Sequence, residues 1–269
     1  MDWNDMATQW VAREVEMEAM LSPVLEAMMA RATVAPGQRV LDVGCGMGAS
    51  LARVLDLIGA DGTATGLDIS ERMLTRAGQR FEGAPVELIV ADAQTHALPS
   101  RHFDAAVSLF GTMFFDDSQA AFANLHSAMK PGAQLTFAAW GTRQDNPYFG
   151  MAGKIAMTRL GSVPKPPPDA PGPMRFGVPG PVLEMLGRAG WQGASVDTVA
   201  LALTPQGTPD TVAANQMEIG AAPSVMAAKG GTPEDAVAIQ AELAEALAQF
   251  DTEDGMRVPA VIHVFQATA

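Results

Sequence analysis

Short apolar runs and helix-spaced apolar positions take turns along this chain. Val40, Leu41 and Val43 form a run without a polar face, as expected of a strand covered on both sides. Ala49 to Ile58 predicts the helix after it and Thr63 to Leu67 a second strand. Ser70 predicts the cap of a helix from Glu71 to Phe81, and Val86 to Ala91 a third strand. Asp117 to Met129 reads as a helix with Ala121, Leu125 and Ala128 facing a sheet. Ahead of the first strand, Met6 to Leu21 predicts a helix, and Met17, Met20, Leu21, Val24, Leu25 and Met28 continue its spacing of three and four. Ser22-Pro23 predicts a restart or kink there. Residues 161–181 hold eight prolines and four glycines, which excludes a helix or a central strand. That stretch is expected to be a linker-like excursion or a rigid loop beside the site. Thr232-Pro233-Glu234-Asp235 opens a late helix with Ile239, Leu243, Leu247 and Phe250 on its apolar face, and Val258 to Ala267 predicts a final strand. Alternating strands and helices point to an α/β fold with a largely parallel sheet.

The strand ends carry the chemistry. After Val43, Gly44, Gly46 and Gly48 make a turn without side chains, against which a ligand can lie, and the next helix aims its free N–H groups at the same place. Asp42 would repel a pyrophosphate there but suits an ammonium or sulfonium charge. Asp68 ends the second strand, placed to accept both hydroxyls of a ribose. Asp92 ends the third, where it could accept from an adenine amino group. Taken in order, the three strand ends make an adenosine site. Gly44-x-Gly46-x-x-Ala49 also satisfies a dinucleotide fingerprint, so an NAD-dependent oxidoreductase is the rival reading; Asp42 and the second, adenine-directed acid argue against it.

These residues resemble the class I S-adenosylmethionine-dependent methyltransferases. The likeness continues in Phe103-Asp104-Ala-Ala-Val-Ser-Leu-Phe-Gly-Thr-Met-Phe-Phe115, similar to that family's fourth strand and the loop under the reacting methyl group. It continues in Met129-Lys130-Pro131-Gly132 and Gln134 to Trp140, similar to its turn and fifth strand. Trp3 and Trp10 near the start, Trp140 with Asn146-Pro147, and the later segments Gly180 to Ala189 and Ser195 to Leu203 resemble a bacterial subgroup close to the ubiquinone/menaquinone C-methyltransferases. The resemblance implies a Rossmann-like, seven-stranded, mostly parallel sheet with an antiparallel last strand, helices on both faces and a helical or loop lid. It implies S-adenosyl-L-methionine as cofactor, S-adenosyl-L-homocysteine as product and a quinone-like or secondary-metabolite acceptor. It also assigns Asp42, Gly44, Gly46 and Gly48 to the methionyl end, Asp68 to the ribose, Asp92 to the adenine and Leu109 to Met113 to the sulfonium side. Trp10, Cys45, Ile69, Met73 and Ala93 complete the expected cofactor shell.

Composition narrows the partners. A net charge of −13 and a pI near 4.6, with no basic cluster, disfavour nucleic acids and anionic membrane surfaces and favour small molecules. The loop after strand four also lacks the Asn-Pro-Pro-Tyr or Asp-Pro-Pro-Tyr segment of families that methylate amides and exocyclic amines. No apolar stretch reaches the ~20 residues of a membrane span, and the acidic, polar start is unlike a secretion signal. The single cysteine, Cys45, excludes an intrachain disulfide and suits a cytoplasmic setting; inside the glycine turn it reads as a small space-filler rather than a nucleophile.

Catalytic residues are less legible. Methyl transfer from a sulfonium is an in-line displacement that alignment and water exclusion can drive, with a general base only where the accepting atom keeps its proton. Tyr148, the only tyrosine, is the candidate base on a loop after strand five. Asp116-Asp117 reads as a helix start rather than a metal site. His96 and His102 read as loop or exposed residues, His126 as a surface position, and His263 as packed or at an edge. Phe114, Phe115, Trp140, Tyr148 and Phe149 are the candidate substrate pocket, apolar and able to meet the sulfonium by cation–π attraction.

One domain over 1–269 is expected: cover helices in 1–37, a cofactor core in 38–140, and lid segments with the last two strands in 141–269. The N-terminal helix and segments 141–180 and 204–257 would form the lid. The expected activity is C-, O- or N-methylation of a small, apolar or aromatic molecule. The alternative is an S-adenosylmethionine-binding protein with other chemistry or a regulatory role. Oligomeric state is open, a homodimer included.

Overall fold

The computed structural model describes residues 3–164, 167 and 169–269. In chain order the elements are α1 (Trp3–Ala12), α2 (Glu14–Met29), β1 (Arg39–Val43), α3 (Ala49–Ile58), β2 (Thr63–Asp68), α4 (Glu71–Arg80) and β3 (Val86–Val90). Next come β4 (Phe103–Leu109), a 3₁₀ turn (Gly111–Phe114), α5 (Ser118–Ala128), β5 (Met129–Trp140), α6 (Pro147–Leu160) and α7 (Pro179–Arg188). β6 (Gln192–Leu203), α8 (Pro209–Glu218), α9 (Ala221–Lys229), α10 (Pro233–Leu247) and β7 (Val258–Thr268) complete the chain.

The seven strands form one sheet in the order β3-β2-β1-β4-β5-β7-β6. Strands β1 to β5 pair in parallel, and β7 runs antiparallel to both neighbours. This is the Rossmann-like, mostly parallel seven-stranded sheet with an antiparallel last strand that the resemblance implies. Strand β1 is buried from Val40 to Val43, the signature of a central strand covered on both faces. The chain leaves β1 toward β2 on one side and returns as β4 on the other, so the topological switch point lies at the carboxyl ends of β1 and β4.

Two expectations need correction. The N-terminal helix breaks at Arg13 rather than at Ser22-Pro23, and α2 runs straight through Pro23. Arg13 turns aside because its guanidinium is held by Asn215 Oδ1 and, at 2.7 Å, by Glu218 Oε2 of α8. Segments 141–160 and 204–231, expected as part of a helical or loop lid, contain α6, α8 and α9, which pack with α10 into a helical layer beside the sheet. The Lys130-Pro131-Gly132 turn is continuous with β5: Lys130 Nζ meets Asp104 at 2.5 Å and Gly132 donates to Ala269 O at 2.7 Å.

The proline-rich stretch is a loop up to α7. It is strapped to the segment after β4 by Gly172 N–H on Met113 O and by the Arg175 guanidinium on Phe115 O. Lys165, Pro166 and Pro168 of that stretch, and Met1 and Asp2 of the polar start, lie outside the described residues. No helix among the described residues is long and apolar enough to cross a membrane.

Candidate functional site

The glycine turn after β1 is fixed by its neighbours on both sides. Gly44 and Cys45 donate to Leu67 O at the end of β2, and Ser108 Oγ of β4 donates to Val43 O at 2.6 Å. A Cβ on Gly44 would stand 2.7 Å from Gly111 Cα, so the turns after β1 and β4 touch backbone to backbone at the switch point. The crowding forces Phe110 into a left-handed conformation at φ 68°.

Asp42 is fully buried beneath this turn. Its Oδ2 accepts from Ser50 Oγ of α3 at 2.6 Å, whereas Oδ1 has no hydrogen-bond partner. Burial pushes its pKa up to about 7, Ser50 offsetting part of the shift and the charge of Asp68 adding to it. A buried carboxylate with one bare oxygen asks for a cationic partner.

At the tip of β2, Asp68 holds the turn. Oδ2 accepts Gly46 N–H at 2.9 Å and Oδ1 accepts Ser70 N–H at 2.8 Å. Desolvation raises this carboxyl too, against the pull of those backbone donors. Beside it Ile69 leaves half its surface exposed, an apolar platform next to two acids. At the end of β3, Asp92 Oδ1 accepts Gln94 N–H at 2.8 Å in a local turn, and the Ala93 that follows is buried. Asp42, Asp68 and Asp92 thus stand on three strand ends in the order β1, β2, β3.

The remaining shell residues fall into distinct settings. Met73 and Met47 pack with Ala7 in a small cluster of their own, joined by Trp3, Trp10 and Val11 of α1. Trp10 Nε1 is buried there without a partner. Cys45 Sγ fills the space over Gly66, and burial pushes its thiol well above the ordinary range, the setting of an inert packing residue. Met113 is fully buried in the main core, and Leu109 is packed against it.

The expected aromatic pocket divides in three. Phe114 meets Trp3 of α1 edge-on at 4.7 Å. Phe115 turns toward the core, its ring 6.0 Å from Phe122. Trp140, Phe149 and Tyr148 form a row with Phe110: Phe110 stacks on Trp140 at 4.0 Å, Trp140 meets Phe149 at 4.6 Å, and Phe149 meets Tyr148 at 5.3 Å. Tyr148 lies in the first turn of α6, not on a loop. Burial pushes its phenol up to about 12, with Gln216 and Arg13 offsetting only part, so at neutral pH it keeps its proton and acts as a donor rather than a base.

His126 packs edge-on against Trp191 at 5.3 Å, which corrects its reading as a surface position. His263 is packed, with Thr198 Oγ1 at Nδ1 and Gly177 O at Nε2. Asp117 caps α5 by accepting Ala120 N–H. Sequence reasoning missed Ser50 and Gln216, while Phe110 lay within the Leu109–Met113 segment it had already singled out. Ser50 was findable, since the second residue of a helix after a glycine turn faces back to the preceding strand.

Residues 40–132 match the family described as methyltransferase domain. Over 104 residues the chain is 32% identical to aklanonic acid methyltransferase DauC of Streptomyces sp. (strain C5), covering 38% of this chain and 47% of that protein. It is 33% identical over 136 residues to a 2-phytyl-1,4-naphtoquinone methyltransferase of Synechococcus elongatus, covering 49% of each. The chain spans about half the length of these curated relatives. Its fold is similar to phosphoethanolamine N-methyltransferase 2 of Haemonchus contortus, solved with phosphomonomethylethanolamine and S-adenosylhomocysteine. There the TM-score is 0.56 at 18% identity, over 91% of this chain and 52% of that one.

Proposed function

We propose that the chain moves a methyl group from S-adenosylmethionine to a small, oxygen-bearing aromatic or apolar acceptor, a reading supported by the match of residues 40–132 to the methyltransferase-domain family. The observation that carries this reading is Asp42. A buried carboxylate with one unpartnered oxygen, at a side-chain-free turn, fits the cationic methionyl end of that cofactor and not a pyrophosphate. Asp68 and Asp92 fit the ribose and the adenine, and the exposed Ile69 offers the adenine ring an apolar face.

When bound, the cofactor supplies a methyl group on a sulfonium whose departure leaves a neutral thioether. The chain's own residues do the rest. Asp42 holds positive charge at the turn, and a cationic neighbour favours its ionised form. Asp68 fixes Gly46 and so keeps the backbone close to the ligand. Trp10, with Ala7, Met47 and Met73, closes the turn from the α1 side. The row from Phe110 to Tyr148 provides a wall for a flat acceptor and keeps water out. With Tyr148 held protonated, rate is supplied by alignment, and the acceptor brings its own nucleophilicity. Relatives named for aklanonic acid and phytyl-naphthoquinone support a polycyclic or quinone-like acceptor.

Calorimetric titration with S-adenosylmethionine, S-adenosylhomocysteine and NAD tests the reading. Binding of the first two without the third is expected. Binding of NAD alone would overturn it.

A further inference from the structure

We propose that Asn124, in the interior of α5, positions the turn after β3 against the cofactor's base and so selects a six-amino purine over a six-oxo one. This rests on the methyltransferase reading above, in which Asp92 takes the adenine amino group. Asp42 and Asp68 end strands that have a neighbour on each side. Asp92 follows β3, which pairs with β2 alone and has no buried residue. An edge strand so lightly packed does not by itself hold a turn to the tolerance a hydrogen bond requires.

Asn124 supplies the missing hold. Its Nδ2 donates to Ala93 O and to His96 O, both at 2.8 Å, so the two hydrogens of one amide grip the turn at two points. Inside that grip Asp92 O accepts Thr95 N–H at 3.1 Å and His96 N–H at 2.9 Å. Asp92 Oδ1 is occupied by Gln94 N–H, and Oδ2 is the oxygen left to accept from a ligand. A second tie, Asp117 N–H on Gln94 Oε1 at 2.8 Å, fastens the same turn to the start of α5. Asparagine is a poor choice for a helix interior, because its amide competes for nearby backbone groups; here the amide is turned to another segment. What it fixes is the direction of a carboxylate. An adenine amino group donates to that carboxylate, whereas a six-oxo base turns a lone pair toward it.

The test uses the full chain and calorimetric titration. Binding of S-adenosylhomocysteine to the wild type is measured first; its absence would overturn the underlying methyltransferase reading. The second probe is S-inosylhomocysteine, which carries an oxygen in place of the adenine amino group. The wild type is expected to prefer the amino form at least about tenfold, the worth of one charge-assisted hydrogen bond. Asn124→Leu, close in volume and without donors, is expected to shrink that preference to within about twofold by weakening S-adenosylhomocysteine alone. Asn124→Ala, which favours the helix more, should do the same and guards against a folding failure. In an Asp92→Ala background Asn124→Leu should change neither affinity, because the group it positions is gone. A wild type that binds S-adenosylhomocysteine without preferring it would overturn the proposal. So would Asn124 variants that keep the preference, or that lose both ligands equally, which is what a residue merely bracing the fold would do.

Discussion

Thr204 Oγ1 donates to the carbonyl oxygen of Ala19 at 2.7 Å, the very carbonyl that Pro23 leaves without its helical partner. The backbone N–H of Thr204 reaches the next carbonyl, Met20, at 3.2 Å. A proline inside a helix withholds one donor. Here the end of β6 replaces it, which is why α2 passes through Pro23 unbroken.

Thr204→Val should therefore cost about 1–2 kcal/mol in denaturant unfolding, because a buried acceptor loses its donor. In a Pro23→Ala background the restored N–H takes over and the same change should cost clearly less. A double-mutant cycle measures this coupling; equal costs in both backgrounds would show that the hydroxyl does not stand in for the proline's missing donor.

Asp42 makes the free protein sensitive to pH. Its pKa, about 7 when folded, lies above the unfolded value of 3.8, so the folded state binds more protons between those limits. Stability from this group is greatest below pH 4 and is lost as pH rises toward 7. Asp42→Asn should flatten that decline and gain on the order of 2–4 kcal/mol at pH 8, read from unfolding at pH 5 and 8. The same variant should bind S-adenosylmethionine far more weakly, since it gives up the charge that stabilises a cation.

Asp68→Ala should lose the support of Gly46 and Ser70 and, on the proposed adenosine site, the ribose contacts as well. With charge-assisted bonds worth roughly 1.5–3 kcal/mol each, S-adenosylhomocysteine affinity should fall at least about tenfold and the free protein should also destabilise. Calorimetry with parallel unfolding checks both. Unchanged affinity would remove the adenosine-site model.

Gly111→Ala should disrupt the switch point. The added Cβ would stand 2.6 Å from Val43 O and 2.8 Å from Gly44 Cα, both backbone atoms that cannot rotate away. A loss of roughly 1–3 kcal/mol is expected, with weakened cofactor binding because the glycine turn must shift. Gly187→Ala in α7, where a Cβ meets nothing within 4 Å and the backbone is not left-handed, is the uncrowded comparison.

The parts legible in the sequence were those whose physics is local. Val40 to Val43 followed by alternate glycines marks a central strand and its turn whatever lies around it, and the acids at 42, 68 and 92 follow from strand ends. Helices α6 and α9 escaped because their buried positions are small. Gly153 packs against Ala221 so closely that a Cβ would stand 2.7 Å from Ala221 Cβ, and Ala152, Ala156 and Ala222 give little hydrophobic periodicity. Pro147, read as part of a loop, is a helix start, where its missing N–H costs nothing. The break at Arg13 was invisible for a different reason: its partners, Asn215 and Glu218, lie about two hundred residues away.

The small cluster of Ala7, Met47 and Met73 stands apart from the main core, and α1 is anchored through it, with side-chain bonds such as Arg72 to Thr8 at its edge. A piece held by so little apolar surface opens on its own free energy, far below that of the sheet. Amide hydrogen exchange would then find α1 trading protons with water while β1 and β4 remain locked. The cover of the glycine turn is a leaf that lifts without the house moving.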